Sequence, residues 1–204
     1  MVRVTGCWLP PAPEDTGFRL AVIMKTITDD DIDRVALDLD STLAATSLTA
    51  FELLGTPEYT YDDIESWSWG LNKFGKERYL NAMWHAWTIR PTDVPVMEAG
   101  LPETVSEMRD HATVDVVTAH PENEAISNGK KQWLDHIGIG YNDFVPVTSG
   151  KAELGYDAYV DDKPALPGEV AEKNPEATSF VIDHQYNQNI EAPHVRVGGV
   201  SNTI

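Results

Sequence analysis

Residues 34–46, "RVALDLDSTLAAT", run from a short apolar stretch straight into two aspartates one residue apart, Asp38 and Asp40. The part "RVALDL" is nearly all apolar, as a strand buried on both faces is. Ending such a strand on Asp38-Leu39-Asp40 poses a physical problem. Two carboxylates this close repel each other, and neither belongs in an apolar core without a partner. Either the pair is an ordinary loop in an acidic protein, or the carboxylates hold a metal ion and do chemistry. The Asp-x-Asp spacing alone does not choose, since Asp29/Asp31 and Asp31/Asp33 match it too.

The stretches that follow supply a rhythm. "STLAATSLTAFELLG" (41–55) predicts a helix stopped by Gly55. From 56 to 95 the texture changes: "YTYDDIESWSWGLNKFGKERYLNAMWHAW" carries aromatics at helical spacing and no clear strand. Beyond Pro95 the pattern alternates again. "LPETVSEMRDH" predicts a helix, "TVDVVT" a strand, and "PENEAISNGKKQWLDHIG" a helix with Ile126, Trp133, Leu134 and Ile137 on one face. "FVPVT" and "DAYVDD" read as strands, "PALPGEVAEK" as a short helix, "TSFVI" as a strand and "HVRV" as a last edge strand. Strands alternating with helices predict an α/β fold, a Rossmann-like parallel sheet with helices on both faces. The expected division is an irregular N-terminal arm (1–33), a core (34–55 and 96–204) and a small helical insert after the first strand (56–95). In such sheets ligands bind beyond the carboxyl ends of the strands. Three polar signatures fall there: Asp38/Asp40, Thr118 after "VDVV", and Asp161/Asp162 after "AYV". Their convergence argues against chance more strongly than any one of them.

The whole chain of 204 residues is long enough for one substantial core. It carries 33 acidic against 15 basic residues, a formal net charge of -18, spread along the chain and not gathered in a tail. That surface repels nucleic acid and anionic membranes, which excludes a duplex-wrapping or membrane-surface role. Spread acidity with few lysines points to work in molar salt, in a halophile or a virus of one; a generic acidic cytoplasmic protein is the other reading. Cys7 is the one cysteine, so neither an intrachain disulfide nor a cysteine metal cage is available. No run approaches the ~18 apolar residues of a membrane span, and "FRLAVIM" (18–24) lacks the flanks of a secretory signal. The expected setting is the cytoplasm. Met24 is an alternative biological start, which would make the arm before it no part of the natural protein.

An all-oxygen site built from Asp38 and Asp161 suits a hard cation, with Mg²⁺ the natural choice. Such an ion would offset the repulsion within the opening stretch. A carboxylate beside it can attack phosphorus to form an aspartyl-phosphate, and a second carboxylate can protonate the leaving oxygen and later deprotonate water. This chemistry needs a fixed cation, for which Lys151 in "TSGKAELG" is placed, and a hydroxyl for a phosphoryl oxygen, which Thr118 offers. A loop lysine is also commonly solvated, and a strand-end threonine commonly a helix cap.

At these residues the chain resembles the haloacid dehalogenase-like phosphohydrolases. The carrying motifs are "LDLDSTL", "VVT", Lys151 and "YVDD", in that family's order, over roughly residues 34 to 185. The resemblance implies Asp38 as nucleophile, Asp40 as general acid and base, and Thr118 and Lys151 as phosphoryl-binding groups. It implies Mg²⁺ held by Asp38, the main-chain carbonyl of Asp40, and Asp161, with Asp162 in support. The aromatic insert, "KKQWLDHIG", "VDDKP" and "SFVIDHQYN" look like the 5′(3′)-deoxyribonucleotidase branch. Ser41-Thr42 and "TAHP" depart from that branch. Lys130 and Lys131 compete with Lys151 for the lysine role; Lys151 is preferred as the nearer to "YVDD".

The insert then reads as a cap that excludes water over the site. Its Trp67, Trp69, Trp84 and Trp87 either stack a nucleobase or form the cap's own small core. Thr42 and Ala119 join them as substrate-binding candidates. No Gly-rich phosphate loop, no Gly-x-Ser-x-Gly elbow and no metal-binding histidine spacing is present. His120, just past Thr118, is either a substrate contact or a plain loop histidine. The expected partner is a small phosphate ester, foremost a nucleoside monophosphate. The rivals are a phosphatase of another small metabolite and a non-catalytic binding or virion-associated protein that retains the fold.

Overall fold

A computed structural model of the protein describes residues 25–29 and 31–204. Cys7, Met24 and the rest of residues 1–24 lie outside the described residues. The expected apolar strand is β1 (Arg34–Leu37), with Val35, Ala36 and Leu37 buried and no polar face to turn to water. It takes the centre of a six-stranded, all-parallel sheet with β2 (Thr113–Ala119), β3 (Phe144–Val147), β4 (Ala158–Asp161), β5 (Thr178–Ile182) and β6 (Val195–Val197). The order is β3-β2-β1-β4-β5-β6. The chain therefore winds outward from β1 in one direction and, after β3, crosses back to wind outward in the other. The reversal lies between β1 and β4, where the diverging connections leave a crevice outside the strand ends.

Alternation along each strand sorts the core into two layers. Val35, Leu37, Val114, Val116 and Val160 face one way, with Val105 and Met108 of α4 (Leu101–His111) and Ile126 and Trp133 of α5 (Glu124–Ile137). Ala36, Val117 and Tyr159 face the other, with Leu166 and Val170 of α6 (Leu166–Lys173). The start of α5 is set by Asn123, whose side chain accepts from the backbone N–H of Ala125 and Ile126, and its end by the left-handed Gly138. Ile27 and Ile32 belong to the first layer although the sequence placed them in the arm. Both are buried, and the Ile27 N–H donates to the Thr203 carbonyl. Among the described residues, no helix is long and apolar enough to cross a membrane.

Between β1 and α4 stand α1 (Thr46–Leu54), α2 (Trp69–Phe74) and α3 (Lys76–Ile89). The helix expected from Ser41 begins only at Thr46. Residues 40–45 fold instead as a tight turn in which the N–H groups of Leu43 and Ala44 point to the Leu39 carbonyl and Ser41 adopts φ 62°. Leu43 and Ala45 then pair with the segment around Pro95 and Met97, so the insert leaves and rejoins the sheet through adjacent backbones. The buried face of α1, with Ala50, Phe51 and Leu54, packs with Ala82 of α3 and is ringed by Tyr59, Trp69 and Phe74. This helix, assigned to the core by sequence, packs within the insert. The far end of α3 is seated on α5: a Cβ on Gly129 would lie 1.8 Å from the Trp87 carbonyl oxygen, so only glycine lets the helices meet.

Candidate active site

The polar groups at the strand ends converge. Asp38 follows β1 directly, its N–H bonded to the Val160 carbonyl of β4 at 2.9 Å, and Asp161 ends β4 beside it. The turn at 151–154 brings the Lys151 Nζ between them, 2.6 Å from Asp38 Oδ1 and 2.5 Å from Asp161 Oδ2. All three side chains are buried. Asp161 Oδ1 accepts from the Lys163 N–H at 2.8 Å, and Asp162 Oδ2 accepts from the Tyr186 hydroxyl at 2.5 Å. One carboxylate oxygen each from Asp38, Asp161 and Asp162 lie within 4.8 Å of one another.

One ammonium does not balance three buried carboxylates. Burial, with Asp161 and Asp40 nearby, pushes the Asp38 carboxyl up to about 7 despite Lys151. Burial and the charges of Asp161 and Asp38 hold Asp162 well above the usual carboxylate range. Burial opposes the charge on Lys151, but Asp161 and Asp38 outweigh it and raise its pKa. A cluster of hard oxygen donors short of positive charge fits a divalent cation such as Mg²⁺.

Asp40 has a separate environment. Its Oδ1 accepts from the Thr46 hydroxyl at 2.6 Å and the Trp87 Nε1–H at 2.9 Å. Its Oδ2 accepts from Lys130 Nζ at 2.5 Å and, weakly, from the Thr118 hydroxyl at 3.5 Å. Burial alone would raise this carboxyl, but Lys130, Thr46 and Trp87 reverse the sign and leave it below its ordinary value. Lys130 also donates to Thr118 Oγ1 at 2.7 Å. Of the three lysines weighed for one role, Lys130 and Lys151 are both used, on different carboxylates, while Lys131 is exposed with its ammonium over the Phe144 ring. The sequence reading passed over Lys130 as a partner of Asp40. Its signal was a lysine inside the apolar stripe of α5, between Ile126 and Trp133, where a cation stays only with a partner.

A cavity of about 1100 Å³ opens above these groups, and Asp38, Asp40, Lys130, Lys151, Asp161 and Asp162 form its floor. The four tryptophans divide. Trp67, half-exposed and edge-on to Tyr186, lines the cavity with Trp84. Trp69 sits instead in the aromatic cluster of the insert, against Phe51, Tyr59 and Phe74. Trp87 reaches the cavity but is 2 % exposed and edge-on to Trp133, so its face is not free to stack a ligand. Ala119 and His120 also line the cavity. The His120 ring is held between the Pro121 carbonyl (2.7 Å) and the Ser127 hydroxyl (3.3 Å), and burial lowers its pKa. Thr42 does not reach the cavity: it is buried in the turn, its hydroxyl without a partner among the described residues. That turn is braced by His184, whose Nε2 meets the Ser41 carbonyl at 2.8 Å and whose ring is stacked on Tyr61 and Tyr186. Sequence had given His184 no role.

A parallel sheet with a reversal of winding and a helical insert after the first strand defines the fold. The fold is that of the haloacid dehalogenase-like hydrolases. The chain is similar to a phosphonoacetaldehyde hydrolase-like protein from Oleispira antarctica, with a TM-score of 0.56 and 12% identity over 84% of this chain and 90% of that one. It is similar to CbbY from Rhodobacter sphaeroides, solved in complex with phosphate, with a TM-score of 0.52 and 14% identity over 83% and 95% of the two chains. A haloacid dehalogenase-like hydrolase from Burkholderia xenovorans LB400 superposes with a TM-score of 0.50 and 13% identity over 84% and 94%. No family model and no curated protein matches the sequence.

Proposed function

We propose that the protein is a Mg²⁺-dependent phosphomonoesterase that works through an aspartyl-phosphate on Asp38, with nucleoside monophosphates as substrates. The observation that carries the reading is the pairing of two differently held carboxylates beneath one cavity. Asp38 lies with Asp161, Asp162 and Lys151, while Asp40 lies with Thr118 and Lys130. Asp38, Asp161 and Asp162 would hold the cation, together with the main-chain carbonyl of Asp40. The bound ion would neutralise charge on the phosphoryl oxygens and on the clustered carboxylates.

The chain's own groups account for the remaining steps. An oxygen of Asp38 attacks phosphorus as the bond to the leaving oxygen breaks, and that oxygen takes a proton by way of Asp40, which is ionised in the resting site and receives it from the singly protonated phosphate ester. Water then attacks the aspartyl-phosphate, Asp40 accepts its proton, and inorganic phosphate leaves with Asp38 regenerated. Lys151 keeps the nucleophile oriented and offsets the phosphoryl charge. Thr118 is fully buried beneath the cavity with its hydroxyl held by Asp40 and Lys130, and would serve a phosphoryl oxygen by exchanging one of those bonds. The insert acts as the cap, and Trp67 and Trp84 offer a stacking surface of the kind a base requires. The phosphate carried by CbbY agrees with a phosphoryl site in this fold. The acidic surface suits activity in concentrated salt. A phosphate-release panel of deoxy- and ribonucleotides and sugar phosphates with Mg²⁺, at high and low salt, tests the proposal. Preferred release from nucleotides supports it, preferred release from sugar phosphates replaces the substrate class, and no release from any ester overturns the enzymatic reading.

A further inference from the structure

We infer that Lys130 is a positioning residue for the acid–base carboxylate, fixing Asp40 and Thr118 against each other; the inference rests on the proposed roles of Asp38 and Asp40. Lys130 is 1% exposed and sits in the apolar stripe of α5, where Leu or Met would fill the same space without the cost of removing an ammonium from water. Its Nζ has two oxygen partners, Asp40 Oδ2 at 2.5 Å and Thr118 Oγ1 at 2.7 Å, and lies 5.6 Å from the centre of the Trp87 ring. The same Trp87 donates from its Nε1 to the other oxygen of Asp40, beside Thr46. Asp40 is therefore gripped on both oxygens, by α1 and α3 from the insert and by α5 and β2 from the core. Rotation of the carboxylate about its Cβ–Cγ bond would break bonds on both sides at once.

A general acid must present its oxygen within hydrogen-bond reach of the leaving atom, and small misplacements are costly. Lys151 cannot do this for Asp40, because its Nζ is committed to Asp38 and Asp161. The two buried lysines thus divide the site: one serves the nucleophile and its cation cluster, the other the acid–base group and the phosphoryl-binding hydroxyl. A defect in the second should appear in proportion to how much the leaving group needs a proton.

The test compares a nucleoside monophosphate, whose alkyl oxygen leaves as an alcohol, with an aryl phosphate, which departs without protonation. In Lys130→Met, kcat/KM for the nucleotide, which reports the steps up to departure of the leaving group, should fall by ~10²-fold or more, the scale of a lost acid–base contribution. The loss on the aryl ester should be at least about tenfold smaller. Added to Asp40→Asn, the same change should cost the nucleotide little further turnover, because the group it positions is already gone. Lys130→Gln, which keeps a donor, should lie between the two, and it carries the comparison should thermal unfolding show Lys130→Met to be poorly folded. Equal losses on both esters in a folded variant, or a full additional loss on Asp40→Asn, would overturn the inference while leaving the phosphatase reading intact. No turnover of either ester by the unmodified protein would overturn both.

Discussion

Asp38 and Asp40 are two residues apart yet sit in opposed electrostatic settings. Asp38 shares one ammonium with Asp161 and is crowded by like charge, whereas Asp40 accepts from four donors. Two expectations follow from that contrast. Asp38→Asn should abolish release from nucleotide and aryl ester alike, since an amide cannot form the acyl-phosphate. Asp40→Asn should keep the nucleophile and lose the proton donor and base, steps worth ~10²–10⁴-fold. Its residual kcat/KM, which leaves out the hydrolysis step both esters share, should be greatest on aryl esters, and phosphate release by both variants on both substrates measures it. Wild-type activity in Asp38→Asn would reduce the opening stretch to an acidic loop. A further expectation concerns pH. The folded Asp38 carboxyl at about 7 lies above its unfolded value, so the metal-free folded state binds the extra proton. That contribution is fully present below the unfolded value and is lost as pH rises through about 7; Asp162 acts in the same direction. Added Mg²⁺ should therefore raise the unfolding midpoint more at about pH 8 than at about pH 5. A midpoint indifferent to Mg²⁺ at both would remove the cation site.

The helical elements show how one amphipathic pattern serves two purposes. Aromatics at helical spacing in residues 56–95 could have packed together or faced a ligand, and spacing alone does not separate these outcomes. In the fold, Trp69 packs within the insert and Trp87 braces Asp40, while Trp67 and Trp84 line the cavity. Changing Trp67 or Trp84 to Ala should weaken nucleotide binding by ~1–3 kcal/mol, read as a raised KM, and change hydrolysis of a small phosphate ester far less. Trp69→Ala should instead lower the unfolding midpoint and affect both substrates together. A selective nucleotide defect in Trp69→Ala, with none in Trp67→Ala or Trp84→Ala, would place the stacking surface elsewhere.

Across the whole molecule the dominant feature is charge. A formal net charge of -18 on 204 residues makes the compact state self-repelling, and dissolved salt screens that repulsion. The unfolding midpoint should rise between about 0.1 M and about 2 M KCl. An unchanged midpoint would remove the argument for adaptation to concentrated salt. The cavity floor shares this acidity: Asp38, Asp40, Asp161 and Asp162 outnumber Lys130 and Lys151, which are both buried and paired with carboxylates.

The α/β alternation, the strands and their terminal polar residues were readable directly from the chain. Each is encoded within a few neighbouring residues, by apolar runs, helical stripes and stop signals such as Gly55 and Gly138. Asp38, Asp161 and Asp162 came with the strands because a residue that ends a parallel strand has only one edge of the sheet to occupy. Tertiary structure alone decided the strand order, the late start of α1, the burial of Thr42 away from the cavity and the division of the tryptophans. It alone joined Lys130 to an aspartate 90 residues earlier. The difference is one of range: periodicity reports which face of an element is apolar, whereas the partner of a buried charge is set by which elements the sheet order brings into contact.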